Sequence, residues 1–400
     1  MKPNVLQLIG SFNQGGSERQ AVQLARLLHQ GGRFNVHVAC LDRGGPLSRE
    51  VDALGIGEID EFPLTSFYDL NTVKQMRRFG RFLGERGIDL LHTHDFYTNI
   101  FGMAGAVLTG APVVRIASRR ETGGMRTSAQ AFVQRRAFRR AHAIVANSDA
   151  VRRELIAEGV RESKVKTIYN GLDLNRLTPR LDMQRREIAE ELGLALVADR
   201  HLVTIVANMR HLVKDHRTFL KAAKRVHDEI DNSAFVLAGD GGLMEPLRAF
   251  AAELGLARDT LFIGPVERIG ELLAISDVCA LSSTHEGFSN SIVEYMSQSR
   301  PVVVTDVGGA REAVIDGDTG YVVPSGDYQA MAARIISLLQ DPSRAAEMGR
   351  RGRLIVEEKF SCEAQLAATE DLYEKLLGEH STVDMHSRSQ LSQRQNAPAK

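Results

Sequence analysis

The sequence predicts an α/β chain of two Rossmann-like, doubly wound domains facing a cleft. Three observations carry this. Short apolar runs alternate with longer amphipathic segments along the 400 residues. The runs are near-continuous Val, Ile and Leu, as in parallel strands buried on both faces. The alternation breaks once near mid-chain, which separates two domains.

The first series of runs is VLQLIG (5–10), FNVHVACL (34–41), DLLHTH (89–94), PVVRIAS (112–118), AIVANS (143–148) and VKTIYN (165–170). The second is HLVTIVANM (201–209), AFVLAGDG (234–241), LFIGPV (261–266), VCALSS (278–283), PVVVTDV (301–307) and GYVVP (320–324). Between them lie segments such as ERQAVQLARLLHQGG, apolar every three or four residues and stopped at Gly31–Gly32. After YNGLD (169–173), the stretch NRLTPRLDMQRREIAEELGL is charged and has no strand pattern. The expected layout is a first domain over 1–175, a linker over 176–200 and a second domain over 201–360. A final helix follows over 361–379. The polar, aperiodic residues 380–400 read as a disordered tail.

Composition narrows the function. The chain is 43% hydrophobic and 25% charged, with 50 basic and 50 acidic residues, so bulk charge does not point to nucleic acid. Cys40, Cys279 and Cys362 are far apart and form no ligand spacing, which suits a reducing compartment. The start, MKPNVLQLIGSFNQGG, reads as a first strand and not as a signal peptide. No run approaches the roughly 18 apolar residues of a membrane span. The expected location is cytoplasmic, with peripheral contact at the inner membrane face left open.

The motifs sit at strand ends. In HEGFSNSIVEYMSQSRPVVVTDVGGAREAV (285–314), Glu286 and Glu294 bracket a polar run, Gly287, Phe288, Ser289 and Asn290. A helix starting near Ser289 or Asn290 would aim its first amides and its dipole at a diphosphate. The two carboxylates would accept from sugar hydroxyls. Taken without that context, they are two solvated helix glutamates. In NMRHLVKDH, Arg210 and Lys214 leave a strand end and can neutralise a diphosphate, although either could be plain surface charge. Gly15 and Gly16 make a tight turn before another helix start, and Gly241 lies in AGDGG at a further strand end. Each glycine turn is equally an ordinary βα turn. His92 and His94 share one side of a strand near its carboxyl end. His94 could touch a sugar, or the pair could simply be a polar strand terminus.

Residues 115–140 hold eight arginines (115, 119, 120, 126, 135, 136, 139 and 140) against one acid, Glu121. The part SAQAFVQRRAFRRA can form a helix with Ala129, Phe132, Val133, Ala137 and Ala141 on one face. It is either a packed helix with a solvated basic side or a dock for anionic lipid or a pyrophosphate-bearing acceptor. Asp316-Gly-Asp318 looks like a metal motif but reads as a turn, so no metal and no cofactor are expected.

Together these residues resemble the GT-B-fold glycosyltransferases, and among them the large retaining family 4 (glycosyl transferases group 1). The resemblance runs from GGSERQAVQLARLL to EDLYEKLL. It is most specific in NMRHLVKDH, AGDGG, LFIGPV and STHEGFSNSIVEYMSQSRPVVVTDVGGAREAVIDGDTGYVV. It implies a catalytic set of Glu286, Arg210 and Lys214, with Glu286 near the transferred sugar and Glu294 on the nucleotide ribose. Gly15, Gly16, Gly241, Val266, Gly287, Phe288, Ser289 and Asn290 would complete the donor site. The first domain would bind the acceptor through His94 and Arg119, and the final helix would cross back onto it. The implied reaction moves a sugar, without metal, from a nucleotide sugar (a UDP-sugar first) to a saccharide or lipid-linked saccharide. Many relatives carry a histidine where RIASRRET has Ser118 and Arg119, so that contact does not transfer. A nucleotide-sugar epimerase or a non-catalytic degenerate transferase are the alternatives. A NAD-dependent oxidoreductase lacks its glycine fingerprint here.

Overall fold

In the computed structural model the chain forms two compact units, each an all-parallel sheet flanked by helices. The structure describes residues 2–395 except 14, 68, 123–125 and 181–182.

The first unit comprises Met1–Asn147, Val151–Ile168 and Glu363–Lys400. Its strands are β1 (Asn4–Ile9), β2 (Asn35–Cys40), β3 (Asp60–Glu61), β4 (Leu90–Thr93), β5 (Val114–Arg119), β6 (Ala143–Ala146) and β7 (Val165–Thr167). They lie in the order β3-β2-β1-β4-β5-β6-β7. All six apolar runs of the first series are strands. The two-residue edge strand β3, paired with Ala39 and Cys40, has no apolar run to announce it. The Gly16–Gly31 helix stops as its sequence suggests, because Gly32 takes φ 67° and its amide returns to Leu28 and His29. The Phe96–Leu108 helix opens on a capping box in which Asp95 accepts from the amides of Tyr97 and Thr98.

The last helix, Cys362–Gln395, belongs to this first unit. Leu372 and Tyr373 are buried in the core beside Phe34 and Val36. Gln365 bonds Gln20 at 3.2 Å, and Arg33 pairs with Glu370 at 3.0 Å. The helix runs on to Gln395, where the sequence suggested disorder. Once its packed turns have nucleated it, each further residue adds a backbone bond, so no apolar pattern is required. Residues 396–400 lie outside the described residues.

The second unit comprises Ser148–Ala150 and Tyr169–Cys362. Its strands are β8 (His201–Val206), β9 (Ser233–Ala238), β10 (Thr260–Gly264), β11 (Val278–Leu281), β12 (Val302–Thr305) and β13 (Tyr321–Val323), ordered β10-β9-β8-β11-β12-β13. The stretch expected as a linker is built into this unit. Ile188, Ala189, Leu194, Val197 and Ala198 are buried against Leu202, Ala234 and Leu272. Its many charges had masked those few apolar positions.

Candidate active site

In each sheet the strand order reverses once, between β1 and β4 and between β8 and β11. Loops leaving adjacent strand ends diverge at such a point and leave a crevice for ligand.

In the second unit the loops after β8 and β11 are stitched together. Thr284 donates its amide to Val213 O at 2.8 Å, and Ser282 Oγ donates to Lys214 O at 2.9 Å. This sets Lys214 Nζ 2.5 Å from Glu286 Oε1, and Ser283 Oγ donates to the same oxygen at 2.7 Å. Both side chains are mostly buried, so the pair is weakly screened. Asp215, the next residue, takes φ 42° and caps the His216–Glu229 helix by accepting from Thr218 N. The glycines after β12 close the site from a third side. A Cβ on Gly308 would lie 2.1 Å from Glu286 O, and Gly309 donates to Gly287 O at 2.9 Å. Only glycine lets these backbones approach so closely. The double glycine is visible in the sequence, but its partner is not.

The helix after β11 starts where expected: Asn290–Ser297, with Ser289 at the cap position and its side chain not bonded to the helix start. Glu294 lies one turn inside and is half-buried. Phe288 turns its ring into the core against Tyr169 and Phe360, so only its backbone is left for a ligand. Asn290 Oδ1 accepts from Asn170 Nδ2 at 2.9 Å.

Arg210 is placed differently. Its side chain is 62% exposed and pairs with Asp240 at 3.2 Å. The loop after β9 folds over the end of β8: Met209 donates to Asp240 O at 2.7 Å, and Leu243 to Met209 O at 2.9 Å. Gly241 sits between them at φ 148°, where a Cβ would come 2.3 Å from the Met209 carbonyl. Val266 packs, half-buried, on the core beneath.

In the first unit the reversal point holds a cavity of about 700 Å³, lined among others by Gly16, His94, Ser118 and Arg120. Gly15 caps the helix behind it, and the Glu18 carboxylate fills the space a Cβ on Gly15 would take. Glu18 therefore already occupies this helix start, and burial raises its pKa. His92 and His94 are both buried. His94 Nε2 meets Gln7 Oε1 at 2.8 Å, Gln7 Nε2 donates to the Tyr373 hydroxyl at 3.0 Å, and that hydroxyl meets His92 Nδ1 at 2.6 Å. His92 Nε2 then reaches Ser118 Oγ at 2.7 Å. Gln7 Oε1 can only accept, so His94 carries its proton on Nε2. Tyr373 accepts from Gln7 and gives its proton to His92 Nδ1, so His92 also carries its proton on Nε2 and donates it to Ser118. Burial, then the nearby Arg120 charge, pushes His92 down to about 3. Burial, then His92 and Arg120, holds His94 well below its ordinary value, so both rings are neutral at pH 7.

Arg119 lines the cavity, but its guanidinium is committed elsewhere. Nε donates to Glu121 O at 3.0 Å, Nη1 to Glu158 at 2.7 Å, and Nη2 pairs with Glu154 at 3.3 Å. Its neighbour Arg120 instead approaches His94 Nδ1 at 3.4 Å. Burial lowers Arg120 to about 10, and it stays charged at pH 7. Strand alternation already puts residue 120 on the same side as Ser118, the one signal that could have singled it out.

Among the described residues no group of three or more His, Cys, Asp or Glu is placed to hold a metal. Asp316 accepts from Val322 N at 2.9 Å, and Asp318 pairs with Arg351.

Two family models match: "Glycosyl transferases group 1" over residues 190–355 and "Glycosyltransferase Family 4" over residues 14–176. The chain is 31% identical over 213 residues to the N-acetyl-alpha-D-glucosaminyl L-malate synthase of Bacillus anthracis, covering 53% of this chain and 54% of that protein. The match thus spans about half the length of that relative. It is 28% identical to the alpha-maltose-1-phosphate synthase of Mycolicibacterium smegmatis, over 72% of this chain and 79% of that one. Among solved structures, Anabaena Alr3699/HepE in complex with UDP superposes with a TM-score of 0.82 at 21% identity, over 93% of this chain and 100% of that one.

Proposed function

The chain belongs to the group 1, family 4 glycosyltransferases and has their fold of two Rossmann-like domains, and from that premise we propose that it transfers a sugar from a nucleoside-diphosphate sugar to a saccharide or lipid-linked saccharide. The observation that carries this reading is the Lys214–Glu286 pair at the β8/β11 reversal point, beside the start of the Asn290–Ser297 helix. The diphosphate lies against Lys214 and the amides at that helix start. Arg210 joins it by leaving Asp240, which costs little for a pair so exposed. As the C1–O bond breaks, charge collects on the diphosphate, and preorganised cations and amides stabilise it there. Glu286 accepts from hydroxyls of the moving sugar, and Glu294 from the ribose. The acceptor oxygen attacks from the leaving-group side, with retention at C1.

The donor is a UDP-sugar in this reading, supported by a neighbour of the same fold solved with UDP-glucose. No metal is needed, because cations of the chain hold the leaving group. The acceptor occupies the first unit's cavity beside His94 and Ser118, and the product is a cell-surface polysaccharide or glycolipid made on the cytoplasmic side. Among the described residues no helix is long and apolar enough to cross a membrane, so a lipid-linked acceptor would be met at the membrane surface.

Melting curves with UDP, GDP and ADP, each with and without EDTA, test the donor site. A ligand that binds only the folded chain raises Tm by mass action. UDP should raise it equally in both conditions. No shift with any of the three would remove the donor reading, and a shift abolished by EDTA would remove metal independence.

A further inference from the structure

The Ser128–Arg140 helix buries only part of the face its pattern suggests, Ala137 together with Ala141 just after its end. Gln134, Ala137 and Phe138 go inward, with Phe138 packed beside Met103 and Ile144. Ala129, Phe132 and Val133 stay outside, with Phe132 51% exposed and Val133 41% exposed. Phe132 and Val133, with Val107 and the 56%-exposed Leu108 at the end of the Phe96–Leu108 helix, line an open groove of about 800 Å³.

The same groove is also lined by Arg136, Arg139 and Arg140. Arg135 and Arg139 join Arg161 and Lys164 around a second hollow of about 450 Å³. Arg136 lies over the Phe132 ring at 5.0 Å. Nearby arginines are neutralised: Arg119 by Glu154 and Glu158, Arg126 by Glu121, Arg152 by Glu162. Among the described residues no carboxylate pairs with Arg135, Arg136, Arg139 or Arg140. Glu158 lines the second hollow, but Arg119 holds it.

We propose that this face docks on an anionic lipid bilayer. Phe132, Val133 and Leu108 enter the acyl boundary, and the arginines bind lipid phosphates at headgroup depth. The apolar groove alone would also suit a second copy of the chain. A two-fold interface there, however, would bring two sets of unpaired arginines together, and that repulsion disfavours it. The docking does not depend on the transferase reading.

Vesicle co-sedimentation of the full chain tests it, with vesicles of phosphatidylcholine alone and of phosphatidylcholine mixed with phosphatidylglycerol. Binding should appear with the mixed vesicles only and fall with added salt. R135E/R139E should weaken it at least roughly 25-fold, and F132S/V133S roughly tenfold. The substituted side chains are not in the core, and the melting curve of each variant with UDP reports its fold and donor site separately. R136E/R140E provides a second charge reversal should the first unfold the chain. Vesicle binding lost while the UDP shift persists supports docking. Absence of wild-type binding to the mixed vesicles, equal binding to neutral ones, or binding that no variant weakens would overturn it. So would a concentration-dependent dimer that F132S/V133S abolishes, which would assign the groove to a second copy.

Discussion

Lys214 and Glu286 are held together by loops from two different strands, so each sets the charge the other meets. Glu286→Gln keeps the shape and removes the carboxylate charge. Turnover should fall about 10²-fold with UDP affinity nearly unchanged. Parallel loss of both would contradict the role assigned to Glu286. Glu294→Ala should weaken UDP binding roughly tenfold, read by calorimetry, and an unchanged affinity would remove the ribose assignment. These positions stood out in the sequence because a buried run, a small polar turn and a charge recur at each strand end. Their partners did not. Nothing local to Arg210 says that Asp240 holds it, and nothing in RIASRR says that Arg119 turns to Glu154 and Glu158 while Arg120 turns to His94. Such choices are made by elements that meet only in the fold.

The same distinction governs the elements. Strands with continuous apolar runs are readable because burial on both faces leaves no other solution. Two-residue β3 and the charged 183–198 stretch, with its few buried apolar residues, are not. A long reach is made by Tyr373, whose hydroxyl joins Gln7 and His92 across 366 and 281 residues. Tyr373→Phe leaves two buried partners without it and should cost about 1–3 kcal/mol in urea unfolding. An unchanged midpoint would show that the hydroxyl is not needed there. Burial also fixes a pH dependence. His92 is held at about 3 and His216 at about 4, while unfolded histidine titrates near 6.5. Between these values the unfolded chain binds more protons. Stability is therefore full above about pH 6.5 and declines as pH falls below it. A urea midpoint that stays flat from about pH 7 to about pH 5 would show that these rings are not held neutral.

At the scale of the whole molecule, the first unit is discontinuous, because Glu363–Lys400 completes it after Tyr169–Cys362 has formed most of the second. A fragment ending at Ile168 leaves the pocket for Leu372 and Tyr373 empty and exposes Phe34 and Val36. It should be several kcal/mol less stable than a fusion that restores residues 363–380, by analogy with removing large core side chains. Equal urea midpoints would show that the helix is dispensable. The discontinuity also orders synthesis. On the ribosome, the segment that seals the first unit emerges only after the second unit, so its core waits half-open while Tyr169–Cys362 is made. A message truncated between the codons for Glu363 and Leu372 would then release a chain whose second unit is finished and whose first is not, an incomplete product that proteases can recognise.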